Sequence, residues 1–152
     1  MVQVDDAEIY RKHAGELIRF ANALAGPSGA EDVLASAVMR AMDSPRWPVI
    51  ENKRAYLFKA VLNESLRDRR SRERRLRREA RAAVADRFEQ STADADVLDA
   101  ISRLSVRQRA VVFLTYWSDL EPQSIGELIG VSQRTVEREL TTARRLLERM
   151  LT

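Results

Sequence analysis

Residues 124–150 read SIGELIGVSQRTVERELTTARRLLERM, and this stretch decides the fold of the C-terminal part. Ile125, Leu128 and Ile129 recur at the three-to-four spacing of one buried helix face. Pro122, just upstream, suits the first turn of that helix, where its missing N–H has no partner to lose. Gly130 follows and permits the left-handed conformation that ends a helix. Val131 plugs the corner, and Ser132 offers a hydroxyl to cap the next helix. That helix carries Val136, Leu140, Ala143, Leu147 and Met150, an unbroken 4-3-4-3 apolar stripe. A short helix, a glycine turn and a longer amphipathic helix make a helix-turn-helix, whose second helix can enter a major groove. Its other face presents Gln133, Arg134, Thr135, Glu137, Arg138, Thr141, Arg144 and Arg145. Such side chains read base edges and hold phosphates, which favours nucleic-acid binding over a merely solvated face.

Working outward, everything periodic reads as helix. Ser105 and Gln108 have capping-box spacing ahead of Ala110, Val111, Phe113, Leu114 and Trp117. Val97, Leu98, Ile101 and Leu104 form a short helix before it. Near the N-terminus, Ile9, His13, Leu17, Phe20, Ala21 and Leu24 recur at helical spacing until Gly26-Pro27 stops the run. His13 lies on that stripe, which gives it a core or boundary role. Ser28 and Glu31 have the form of a second capping box, opening a helix with Val33, Leu34, Ala37, Val38, Ala41 and Met42 inward. Two prolines within residues 43–52 force a loop. Asn52 is a good N-cap for a third helix, apolar nearly all round at its start and arginine-rich after Leu66. The expected fold is therefore all-α. Two small helical domains, residues 1–85 and 97–152, are joined by a linker of acidic composition at 86–96.

Charge follows the same division. The chain of 152 residues is +3 overall, yet residues 67–81 alone carry +6 and residues 86–100 carry −4. The basic run RDRRSRERRLRREAR holds a single large apolar residue, Leu76, so it buries little and reads as an electrostatic footprint for nucleic acid. With no Cys and one His, thiolate chemistry and a Ser-His-Asp triad lack raw material; no enzyme, metal site or cofactor is expected. No apolar run approaches the roughly 18 residues of a membrane helix, and the N-terminus is acidic rather than signal-like, so a cytoplasmic location without membrane insertion is expected.

Four stretches together resemble the extracytoplasmic-function (ECF) group of bacterial sigma factors, the promoter-recognition subunits of RNA polymerase. IYRKHAGELIRFANALAGPSGAEDVLASAVMRAM is similar to the family's first conserved region, with its signature at Ala30-Glu31-Asp32. NKRAYLFKAVLNESLRDRRSRERR is similar to the region that melts and holds the −10 element. LDAISRLSVRQRAVVFLTYWSDL and SIGELIGVSQRTVERELTTARRLLERM are similar to the region that reads the −35 element. The resemblance implies that Glu31, Asp32, Val33, Leu34, Val38 and Met39 dock on the clamp helices of the largest polymerase subunit, with the C-terminal domain on the flap. It implies that the loop with Trp47 pockets a flipped base, and that Lys53, Tyr56 and Asn63 lie beside the melted strand. Arg67, Arg69, Arg70, Arg72, Arg74 and Arg75 would follow its phosphates, and the linker would thread the channel that RNA later fills. Gln133, Arg134, Thr135, Glu137, Arg138, Thr141, Arg144 and Arg145 would meet the −35 duplex, and an anti-sigma factor is an expected partner. Gly126 stands where the family usually has a small Ala, at about 1 kcal/mol of helix propensity. Ala35 replaces a common polar residue, and Glu137 and Glu139 are unusual on a recognition helix. A sigma-like protein that binds polymerase or an anti-sigma factor without efficient initiation is the alternative.

Overall fold

The computed structural model describes residues 4–79 and 93–151, without the side chains of 4, 69–79, 93–95 and 98. Every regular element among the described residues is helical: α1 (Val4–Ala25), α2 (Ala30–Asp43), a 3-10 turn (Trp47–Val49), α3 (Lys53–Glu79), α4 (Ala93–Ser102), α5 (Val106–Tyr116), α6 (Pro122–Ile129) and α7 (Gln133–Leu151).

Several helix ends follow from their capping residues. The Asn52 carboxamide accepts from the Ala55 backbone N–H at 3.0 Å. Ser105 and Gln108 close a reciprocal capping box at 3.0 and 3.1 Å, satisfying two N–H groups the first turn cannot bond itself. Gly130 adopts the left-handed conformation (φ 76°), and Ser132 Oγ accepts from the Thr135 N–H at 3.1 Å. The expected box at Ser28 does not form. Gly29 occupies the cap without a side-chain bond, because Gly26 O accepts from the N–H groups of Gly29 and Ala30 and carries the turn straight into α2. Helix α4 begins at Ala93, inside the stretch expected to be linker; residues 86–92 lie outside the described residues.

Helices α1, α2 and α3 pack on one another, and α7 packs on α4, α5 and α6. The two groups also touch, through α1 with α5 and α3 with both α5 and α6. Phe20 of α1 is fully buried and reaches both ways, its ring centroid 5.0 Å from Phe58 of α3 and 6.0 Å from Phe113 of α5. The buried apolar residues accordingly form one continuous core. Lys59 of α3 lays its Cε and Nζ 3.1 Å from where a β-carbon on Gly130 would stand, so the helix-turn-helix corner abuts α3.

Gly126 owes its place to the turn that follows it. A β-carbon there would stand 2.6 Å from the Val131 carbonyl oxygen, while Gly126 O accepts from both Gly130 and Val131 N–H groups. The departure from the family's Ala is therefore matched to a corner wound tightly over α6.

Candidate nucleic-acid interface

Helix α7 buries Val136, Leu140 and Ala143 and leaves Gln133, Arg134, Glu137, Arg138, Thr141, Arg144 and Arg145 exposed, with Thr135 half-buried beside its cap. At 100° per residue, Arg134, Arg138, Thr141 and Arg145 fall within about 60° of one another and form the centre of the exposed face. Glu137 lies on that face but is engaged, its carboxylate accepting from the Gln133 side-chain amide at 3.1 Å. Glu139 is half-buried and turned toward the packed side. Thr141 and Thr142 donate back to the Glu137 and Arg138 carbonyls, which holds their hydroxyls against the helix. Arg144 sits at the edge of the face, where its Nε donates to the Tyr116 hydroxyl at 2.8 Å and its guanidinium lies 5.7 Å from the Tyr116 ring centroid. Sequence reasoning singles out neither Tyr116 nor Thr142; only exposure at helical spacing signals them.

A second polar surface lies between α2 and α3, an open cleft of about 320 Å³. Tyr56, Lys59, Asn63 and Arg67 of α3 line it with Arg40 of α2, and Glu64 pairs with Arg40 at 3.4 Å and Arg67 at 3.8 Å. The expected Tyr56, Asn63 and Arg67 thus come together, and Arg40 and Lys59 join them from positions whose only sequence signal is a cation on an exposed helix face. Arg69, Arg70, Arg72, Arg74 and Arg75 continue α3 in sequence, but their side chains lie outside the described residues.

Trp47, expected in a loop that pockets a base, is packed into the interior of the free chain. Its ring is 3% exposed, its indole N–H donates to Asp6 Oδ1 at 2.8 Å, and Tyr56 and the Lys53 ammonium lie on it at 6.1 and 5.4 Å. Lys53 also donates to the Ile50 carbonyl at 2.9 Å. The indole is a strut of the 43–52 loop and offers no free face on which a base could stack. On α2, Val33 and Leu34 are core residues, and Val38 is half-buried. Glu31, Asp32, Ala35 and Met39 are the outward side, with Met39 65% exposed. The inward stripe of α2 is covered by α1 and α3, which leaves the other side exposed.

At the root of α3, Arg54 makes a forked pair with Glu16 of α1 at 2.9 and 3.3 Å, with His13 Nδ1 3.6 Å away. The Arg54 hydrogen bonds hold the Glu16 carboxyl below its ordinary value. No group of metal-ligating side chains occurs among the described residues, and no described helix is long and apolar enough to cross a membrane.

Comparison with known proteins gives this surface a family. Residues 94–147 match the family model for sigma-70, region 4, the span from α4 to α7. The RNA polymerase sigma-E factor of Streptomyces coelicolor is 31% identical over 143 residues, covering 90% of this chain and 80% of that protein. The ECF RNA polymerase sigma factor SigL of Mycobacterium tuberculosis is 30% identical over 151 residues, covering 91% and 84%. A solved structure, the sigma factor RpoE in complex with the anti-sigma factor NepR from Bartonella quintana, superposes with a TM-score of 0.70 at 23% identity, covering 97% of this chain and 96% of that one. With region 4 matched, relatives aligned across nine-tenths of the chain and the same helical fold throughout, the chain belongs to the ECF family of RNA polymerase sigma factors.

Proposed function

We propose that this chain binds core RNA polymerase, directs it to promoter DNA and helps to open the −10 region, with no catalytic residue of its own. The observation that carries the reading is the α7 face, a row of Arg134, Arg138 and Arg145 with Thr141 standing on a buried stripe. Cations in a row on a groove-sized helix neutralise phosphates, and arginine forks can pair with guanine. In this reading α7 meets the −35 duplex, and the α2–α3 cleft with the basic end of α3 takes the melted strand. The outward side of α2, around Glu31, Asp32 and Met39, docks on polymerase, and α4–α7 meet its flap. An anti-sigma factor is a further partner in this reading, in keeping with the solved sigma factor of the same fold, which is in complex with one.

The reading also requires the chain to open. Positions −35 and −10 are about 25 base pairs apart, or about 85 Å of duplex at 3.4 Å per pair. A compact chain of 152 residues has a radius of gyration of about 15 Å and a diameter near 40 Å. The packed form cannot touch both elements, so residues 1–85 and 97–152 act as two modules that part at the α1/α3–α5/α6 contact once polymerase holds them.

Run-off transcription with purified core enzyme on a genomic fragment library tests the reading. Discrete transcripts that depend on the added chain, with aligned start sites, support it. Polymerase binding without transcripts selects the interaction-protein alternative, and no polymerase binding removes the functional reading altogether.

A further inference from the structure

Tyr116 and Arg144 are an unusual pair. Tyr116 is half-exposed at the end of α5, and Arg144 is exposed on α7, 28 positions later. Two exposed side chains gain little from burial, yet the guanidinium is held by ring contact and by a 2.8 Å bond to the phenol oxygen. The bond uses Nε only, so it does not occupy the four Nη–H donors. Arg144 lies about 80° around α7 from Arg134, beside Glu137 at the rim of the exposed face. A helix seated in a major groove points its centre at bases and its rims at the flanking phosphate rows.

We propose that Tyr116 is a positioning residue for duplex binding: it fixes the Arg144 guanidinium at the rim of α7 so that the Nη fork meets a backbone phosphate. A free arginine loses rotamer freedom when it pairs with phosphate, and a guanidinium already hydrogen-bonded to the Tyr116 hydroxyl has lost part of that freedom before DNA arrives. The inference rests on the proposed reading of α7 as the duplex-facing helix, and it assigns no base preference to Arg144 or Tyr116.

The test uses the full chain and a labelled mixed-sequence duplex of about 30 base pairs, with affinity measured at several salt concentrations. Arg144→Ala should weaken binding and lower the salt slope by about 0.9, one phosphate's worth. Tyr116→Phe keeps the ring and removes the acceptor; it should weaken binding about threefold on every duplex, with the thermal midpoint unchanged. In the Arg144→Ala background, Tyr116→Phe should cost nothing further, which a general loosening of the fold would not produce. If Arg144→Ala weakens binding and Tyr116→Phe does not, Tyr116 positions nothing and the inference fails while the duplex reading stands. It fails in the same way if Arg138→Ala weakens binding and Arg144→Ala leaves it intact. If neither arginine matters, or the unaltered chain shows no salt-dependent binding, α7 is not a duplex-facing helix and both fall.

Discussion

Replacing Gly126 by Ala sets two physical effects against each other, and the geometry decides between them. In an unconstrained helix the change gains about 1 kcal/mol of propensity. Here the new β-carbon would stand 2.6 Å from the Val131 carbonyl oxygen, about 0.8 Å inside the 3.4 Å at which ordinary contact begins. The obstructing atom is backbone and cannot rotate away. Moving it strains the Val131 N–H bond to Gly126 O at 3.0 Å, the bond that closes the helix-turn-helix corner. Overpacking of this kind costs about 1–3 kcal/mol, and losing the corner bond adds about 1. The net expectation is a loss of about 1–3 kcal/mol, a fall in thermal midpoint of about 2–4 °C for each kcal/mol in a chain of this size. Gly15 supplies the control, since it lies within α1 with nothing inside 4 Å of its notional β-carbon. Gly15→Ala should therefore raise the midpoint by the propensity gain alone. Paired thermal denaturation of the two variants measures both signs. If Gly126→Ala stabilises as much as Gly15→Ala, the corner is looser than described and the steric reasoning is refuted.

Trp47→Phe removes the indole donor to the buried Asp6 carboxylate and should destabilise by about 1.5–3 kcal/mol, the usual worth of a hydrogen bond to a charged group; an unchanged denaturant midpoint would show that the bond contributes nothing. Ser65 is buried on α3 with no hydrogen-bond partner for its hydroxyl among the described residues, so Ser65→Ala should raise stability by about 1 kcal/mol, read as an increased denaturant midpoint at constant slope. Glu16→Gln should lower stability by about 0.2–1 kcal/mol at neutral pH, the range for half-exposed pairs. Because Arg54 depresses the folded-state value of Glu16, its contribution is fully present above the ordinary carboxyl value of 4.5 and is lost as pH falls through the lower folded value. The variant and the parent should therefore converge in acid, and a gap that persists there would contradict the ion-pair origin.

Much of the fold was legible because helices announce themselves locally. Ser105-Gln108, Asn52, Gly130 and Ser132 each act within one turn of chain, and each takes up the cap or turn its identity suggests. Ser28 misled because a competing acceptor, the Gly26 carbonyl, is supplied by backbone geometry that composition does not reveal. The packing of Trp47 was hidden for a related reason: an aromatic ring in a polar loop reads equally as a stacking platform or as a strut, and its bond to Asp6 spans 41 positions. Val33 and Leu34 were apolar and correctly placed on a helix, yet apolar residues on α2 serve the core first, and only its outward side is left for a partner. The Phe20–Phe113 contact between the two groups of helices had no local signature, since periodicity tells which face is buried but not what covers it.

That contact links folding to recruitment. Phe20 presents one ring to both groups of helices, so every opened chain gives up the packing it makes with Phe113. On the proposed opening, the apparent affinity for polymerase is the intrinsic affinity scaled by the fraction of chains already open. A closed form favoured by about 2 kcal/mol weakens apparent docking about thirtyfold. The same packing also shields the facing apolar surfaces from non-specific association while the chain is unbound. On the proposed opening, loosening this one aromatic cluster should tighten apparent docking on core enzyme without touching the docking surface itself.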